Sequence, residues 1–278
     1  MATTIVPIGR LHVIGTVLET YDLLATHFVR GILHYILVLL IFLALSVVLF
    51  HIVGMPVVRP GATTVPEGML QFYLLMLAIC LPEVVFFVGM FRLGVHGSAD
   101  RNHLLGLRWG KRETCVLLRT IWVTVILVLI LVVLAIPVVL IVAFAFGRNF
   151  APPEPQSLGF LAVTYAVVVF PFGYLFCRFF LYCCAPALDE RLSLGQAWQI
   201  TRGNGWRILI VTILLQLPIV VVNTVLTYAL QLDGTMAGAL AQGGTTIVGL
   251  MFAGFGAALI YRAFVPAPAA QAPAVVTH

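Results

Sequence analysis

Six long apolar runs, at approximately 32–53, 69–92, 119–146, 158–180, 207–231 and 245–263, constrain this chain more than any other feature. About 20 mainly apolar residues, coiled as a helix, cross about 30 Å of hydrocarbon. Inside lipid each backbone N–H and C=O must be satisfied within its own segment, which selects helices for runs of this kind. The pattern therefore predicts an all-α polytopic membrane protein with six transmembrane helices arranged as three hairpins. Only 9% of the 278 residues are charged and 62% are hydrophobic, with a mean hydropathy of +1.12. A soluble domain carries about 25% charged residues, so water cannot be the solvent for most of this chain. The polar stretches 1–31, 93–118 and 181–206 are too short to bury cores of their own. No separate extramembrane catalytic domain is expected within these 278 residues. The segment before the first run carries Arg10, Glu19, Asp22 and Arg30 and no cleavage-site pattern, so that run is expected to be a retained span.

Basic residues set the orientation. With a cytoplasmic N-terminus, Arg59 and Arg148 are the two basic residues left outside, and the other thirteen lie inside. The same placement puts Trp109, Trp122, Trp198 and Trp206 near the inner interface, where amphipathic rings anchor. Both termini are expected in the cytoplasm of a bacterial cell, with the chain in the inner membrane. The net charge of +5 is read as this orientation signal, and nucleic acid is excluded as a partner. The Pro- and Ala-rich tail 265–278 is expected to be disordered.

The arginines also repeat. Arg30, Arg119 and Arg207 open odd-numbered runs at spacings of 89 and 88 residues. Arg92, Arg178 and Arg262 close even-numbered runs at 86 and 84. Leu105-Gly106-x-x-Trp109 recurs as Leu194-Gly195-x-x-Trp198. These matches define one six-helix domain, 1–264, with repeats at 11–92, 98–180 and 189–263. Each repeat is a cytoplasmic amphipathic helix followed by a hairpin. In the first, Ile14, Val17, Leu18, Tyr21, Leu24, Ala25 and Phe28 recur at helical spacing. In the third, Ser193 and Gln196 form a capping box, and Gly203 with Gly205 breaks the helix. Such helices are expected in the inner interface, apolar face down.

The segment from Ala185-Pro186-Ala187 through Leu192-Ser193-Leu194-Gly195-Gln196-Ala197-Trp198-Gln199-Ile200-Thr201-Arg202-Gly203-Asn204-Gly205-Trp206-Arg207 resembles a cytoplasmic segment of a bacterial group. That group comprises the membrane-spanning domain of membrane-anchored glycerophosphoryl diester phosphodiesterases and related multi-pass proteins of unknown function. The close match covers about 25 residues, and the span layout extends it loosely. The chain has no room for the phosphodiesterase barrel. The resemblance therefore implies a fold and no activity.

No catalytic constellation, metal ligand set or cofactor motif emerges from the remaining residues. Gly106-x-x-x-Gly110-Lys111-Arg112 has the wrong spacing for a P-loop and lacks its Ser/Thr. His96 and His103 share a loop without a third ligand, and His27 and His34 fit interface packing. Cys80, Cys115, Cys177, Cys183 and Cys184 form no disulfide framework, because none falls in an outside loop. Glu83 stands apart. Nine residues before Arg92, it lies about 13 Å into the bilayer at about 1.5 Å per residue. An ionisable group at that depth is costly and is a functional candidate by default. Gln216 and Asn223 on the fifth run and Tyr165 on the fourth are candidate polar partners, and the sequence does not choose among them. Two roles compete for it: a proton or cation site in a transport path, or a structural carboxyl. Arg30, Arg92, Arg119, Arg178, Arg207 and Arg262 are expected to meet anionic lipid headgroups at the inner ends of the spans.

Two functions of different class follow. One is a non-enzymatic inner-membrane protein with an accessory, assembly or lipid-interacting role, its partners membrane lipids and either another protein or a second copy of itself. The other is a small transporter or channel using Glu83. An intramembrane lipid enzyme would need a second reactive group beside Glu83, and none is identified.

Overall fold

In a computed structural model the chain is described over residues 10–48, 69–97, 109–146, 170–226 and 236–265, and every regular element among them is helical. Eight α-helices occur: α1 (Val13–His34), α2 (Ile36–Val47), α3 (Met69–His96), α4 (Lys111–Phe146), α5 (Phe170–Cys184), α6 (Leu194–Ile200), α7 (Gly205–Thr224) and α8 (Met236–Phe264), with a 3-10 turn over Ala185–Leu188. Five stretches are long and apolar enough to cross a membrane: Leu77–His96, Lys111–Val133, Phe170–Leu188, Gly205–Thr224 and Leu240–Phe264. Val13–Leu33 and Ile36–Leu45 form a sixth only if taken as one segment bent by 82°. The outside loops at 54–68 and 147–157, all of 98–108, the first half of the run at 158–180, Tyr165, His103 and the tail from 266 lie outside the described residues, as does the side chain of His34. The third outside loop, expected between 231 and 245, is described from Met236 and is already helix there.

The chain divides into two compact units. The larger holds Leu11–Thr114 and Ile210–His278. Its centre is α8, which packs along α3, α1 and α2. Val38, Leu39, Phe86, Met90, Leu93, Met251 and Phe255 form its main core, and Tyr35, Phe28 and Ile32 close over it. Small residues set the helix spacing: a Cβ on Gly254 would stand 2.6 Å from Met90 Cβ and 3.3 Å from the Phe91 amide nitrogen. Gly94 would meet Ala258 Cβ at the same 2.6 Å. On another face of α8, Gly249 and Gly256 receive Ile219 and Leu215 of α7. Between apolar helices in lipid, where no hydrophobic force draws them together, this close approach is what gives dispersion its hold.

Helix α1 is seated on α8 through Tyr21 edge-on to Phe252, with ring centroids 4.9 Å apart, and through His27 beside Phe255 at 6.3 Å. The helix is where the spacing placed it, but its apolar residues divide. Val17, Tyr21, Leu24 and Phe28 are half-buried, while Ile14, Leu18 and Ala25 are exposed.

The smaller unit holds Met1–Arg10 and Cys115–Leu209. Val123 and Leu127 of α4 pack with Cys183 of α5, and Phe172, Phe176, Phe179, Tyr182 and Leu194 line that cluster. Helix α4 runs unbroken from Lys111, so Arg119 lies two turns inside it instead of opening a new helix.

Candidate functional site

The densest set of polar contacts is the elbow linking α5, α6 and α7. Pro186 enters the 3-10 turn early, where a missing N–H costs little. Asp189 ends that turn in the left-handed region, φ 60°. Ser193 then caps α6: its hydroxyl accepts from the Gln196 amide at 3.2 Å, while the Gln196 side chain accepts from the Ser193 amide at 2.8 Å. Gly203, φ +80°, turns the chain before α7 begins at Gly205. The capping box and the glycine break are both as the sequence predicts.

Arg178 is the residue around which this elbow is built. It is 5% exposed. Its Nη2 donates to Trp198 O at 2.7 Å, Nη1 lies 3.5 Å from the Tyr174 hydroxyl, and the guanidinium carbon sits 3.9 Å above the Trp198 ring. Trp198 is in the last turn of α6, whose carbonyls have no partner within the helix, and a guanidinium donor suits them. Thr201, fully buried, places its hydroxyl 2.8 Å from Ala197 O and 3.2 Å from Arg178 O, so it too ties α6 to α5. Gly205 gives the arginine room, since a Cβ there would stand 2.8 Å from Arg178 Cδ. The Tyr174 ring lies against Trp206, centroids 4.9 Å apart. Among the described residues the buried Arg178 Nε has no hydrogen-bond partner.

This corrects the expectation that Arg178 meets lipid headgroups. A planar, weakly hydrated guanidinium can stack on an indole and donate to orphan carbonyls, and here both options outcompete the surface. Arg119 behaves similarly. Half-buried, it donates from Nη1 to Tyr182 O at 3.0 Å and Leu192 O at 3.4 Å, and stacks 4.5 Å over the Tyr182 ring. Through Nη1 it locks α4 to the end of α5. Arg92 and Arg207 are half-buried and already engaged within the chain. Arg30 and Arg262 are exposed. The signal missed in the sequence was an arginine set among Phe176, Phe179, Phe180 and Leu181, where a charge must find partners.

Among the described residues no hydrogen bond joins Glu83 to Gln216 or Asn223, each of which bonds to α8. Gln216 donates from Nε2 to Gly249 O at 3.3 Å, and Asn223 Oδ1 accepts from the Thr245 hydroxyl at 2.5 Å. Both therefore fasten α7 to α8. Glu83 is half-buried on α3, one residue after the buried Pro82, and no side-chain hydrogen bond or ion pair joins its carboxyl to another described residue. Helix α3 continues through Pro82. Among the described residues no group of three metal-ligating side chains occurs, and the five cysteines are free thiols.

No family model, no curated protein and no solved structure matches this chain.

Proposed function

We propose that this chain is a non-enzymatic integral protein of a bacterial inner membrane with an accessory, assembly or lipid-interacting role. In this reading it spans the membrane six times as three hairpins, each preceded by a cytoplasmic interfacial helix, and both termini are cytoplasmic. The observation that carries it is where the polar side chains of the apolar helices are spent. Arg119, Arg178, Thr201, Gln216, Asn223 and Thr245 all fasten one helix or turn to another. Side chains committed to such contacts give a rigid scaffold. The likeness of 185–207 to a multi-pass bacterial group belongs with this reading, since that segment is the elbow itself. The test is purification in native lipid patches followed by identification of co-purifying lipids and proteins. A reproducible partner or lipid, held less well after Arg178→Ala, supports a scaffold; no enrichment over an unrelated six-span control argues against it.

Glu83 favours a second reading, a small transporter or channel, because it is a half-buried carboxylate in an apolar helix without a bonded partner among the described residues. Proton or cation flux into liposomes that is lost in Glu83→Gln would support transport. Absence of flux in both proteins would sink it.

A further inference from the structure

Helix α1 offers a surface to something outside the chain. Its buried side, Thr16, Thr20 and Gly31, faces the core of its own unit. At about 100° per residue, Ile14, Leu18, Ala25 and Val29 share an arc of about 60° on the opposite side. Ile14 is 73%, Leu18 64% and Val29 66% exposed. The next arc round is polar as far as Arg30, with Glu19, Asp22, Thr26 and Arg30 all exposed, and ends on the exposed Leu33 beside the turn into α2. A helix crossing the bilayer would drag Glu19 and Asp22 into hydrocarbon at high cost. Lying flat at the interface, it puts the apolar arc among the acyl chains and the polar arc in water. The 82° turn into α2 gives it that attitude if α2 crosses the membrane. Past the turn, Leu40 and Ile41 of α2 are exposed as well.

We infer that the apolar arc of α1 docks on the bilayer surface by hydrophobic insertion, without selection for anionic lipid. This rests on the multi-span reading above. Interfacial helices that seek anionic lipid line their polar face with Lys and Arg. Here the polar arc sets Glu19 and Asp22 against Arg30, and Arg10 just ahead of the helix brings the balance to zero. The partner is therefore the apolar boundary beneath the headgroups, and Arg30 balances the helix instead of recruiting phosphate.

The test uses the full chain with Leu18→Cys or Thr26→Cys, each labelled with a polarity-sensitive nitrobenzoxadiazole dye. The proteins are reconstituted in vesicles of phosphatidylcholine alone or of phosphatidylcholine mixed equally with phosphatidylglycerol; the wild-type chain, treated identically, corrects for native cysteines. The expected result is blue-shifted emission at position 18, quenched by lipids spin-labelled near the headgroup. It should agree within about twofold between the two vesicles and persist at about 1 M salt, where the screening length is about 3 Å. Emission at position 26 should be that of dye in water. Water-like emission at 18, an apolar signal that spin-labelled lipids do not quench (a protein cover), or insertion confined to the anionic vesicles would each overturn the inference. Alkaline carbonate extraction of the same proteins separates the two levels. A chain released by carbonate refutes the multi-span reading, whereas a retained chain with a watery position 18 refutes the inference alone.

Discussion

Helix α1 precedes the first apolar run and packs on α8, the last of the described helices; helix α6 precedes the fifth run and packs on α5, the described helix before it. Each leads into an apolar helix, α2 after α1 and α7 after α6, so their places along the chain correspond. Their chemistry does not. Helix α1 is held by rings and shape: Tyr21 on Phe252, His27 by Phe255, and Gly31 in the space between Met90 and Met251. Its charged residues Glu19, Asp22 and Arg30 all point away. Helix α6 is held by a guanidinium, a hydroxyl and a capping box. Length explains the difference. Twenty-two residues spread enough contact to seat a helix by packing, whereas seven residues with only Ala197 fully buried cannot, and short helices are marginal on their own. The short element therefore needs polar bolts.

The contrast can be broken most forcefully at Arg178. Replacing it with Ala removes a charge-assisted hydrogen bond of about 1.5–3 kcal/mol and a cation–π contact of about 1–2 kcal/mol. We expect a loss of about 3 kcal/mol in the unfolding free energy of the purified protein, with faster tryptic cleavage at Arg202. A variant as stable as the parent would show that α6 is held by something else. In the other unit, volume is the weak point. Gly254→Val forces a side chain against Met90 Cβ and the Phe91 amide, so α3 must move off α8, at a cost of about 2 kcal/mol by overpacking. Thermal unfolding in detergent would register it, and a tolerated valine would mean that α3 and α8 are less tightly apposed. The finest comparison pairs two fully buried threonines. Thr201→Val removes a hydroxyl that reaches a second helix and should cost about 1 kcal/mol. Thr20→Val removes one that bonds only to Thr16 O within α1 and should stay within about 0.5 kcal/mol. Equal losses would erase the distinction between the units.

Much of this was legible along the chain, for reasons that differ by region. Apolar runs announce helices because lipid leaves the backbone no other choice, and α2, α3, α4, α5, α7 and α8 overlap those runs, whereas α1 and α6 precede them. The α6 start was legible because Ser193 and Gln196 satisfy each other locally. The arginines were harder. Spacing put Arg92, Arg178 and Arg262 in one class, yet one is half-buried, one is buried and one is exposed. Which of these holds depends on whether an orphan carbonyl such as Trp198 O comes within reach, and that is a tertiary fact. The same holds for Gln216 and Asn223, whose partners Gly249 and Thr245 lie across a helix pair that residue order alone does not register.

The account rests on one placement above all, that the chain crosses the membrane six times from a cytoplasmic N-terminus. Fusing alkaline phosphatase or green fluorescent protein within 147–157, and in parallel after 265, tests it directly. The account predicts an active phosphatase and a dark fluorescent protein at 147–157, with the reverse at 265. Fluorescence and no phosphatase activity at 147–157 would contradict it.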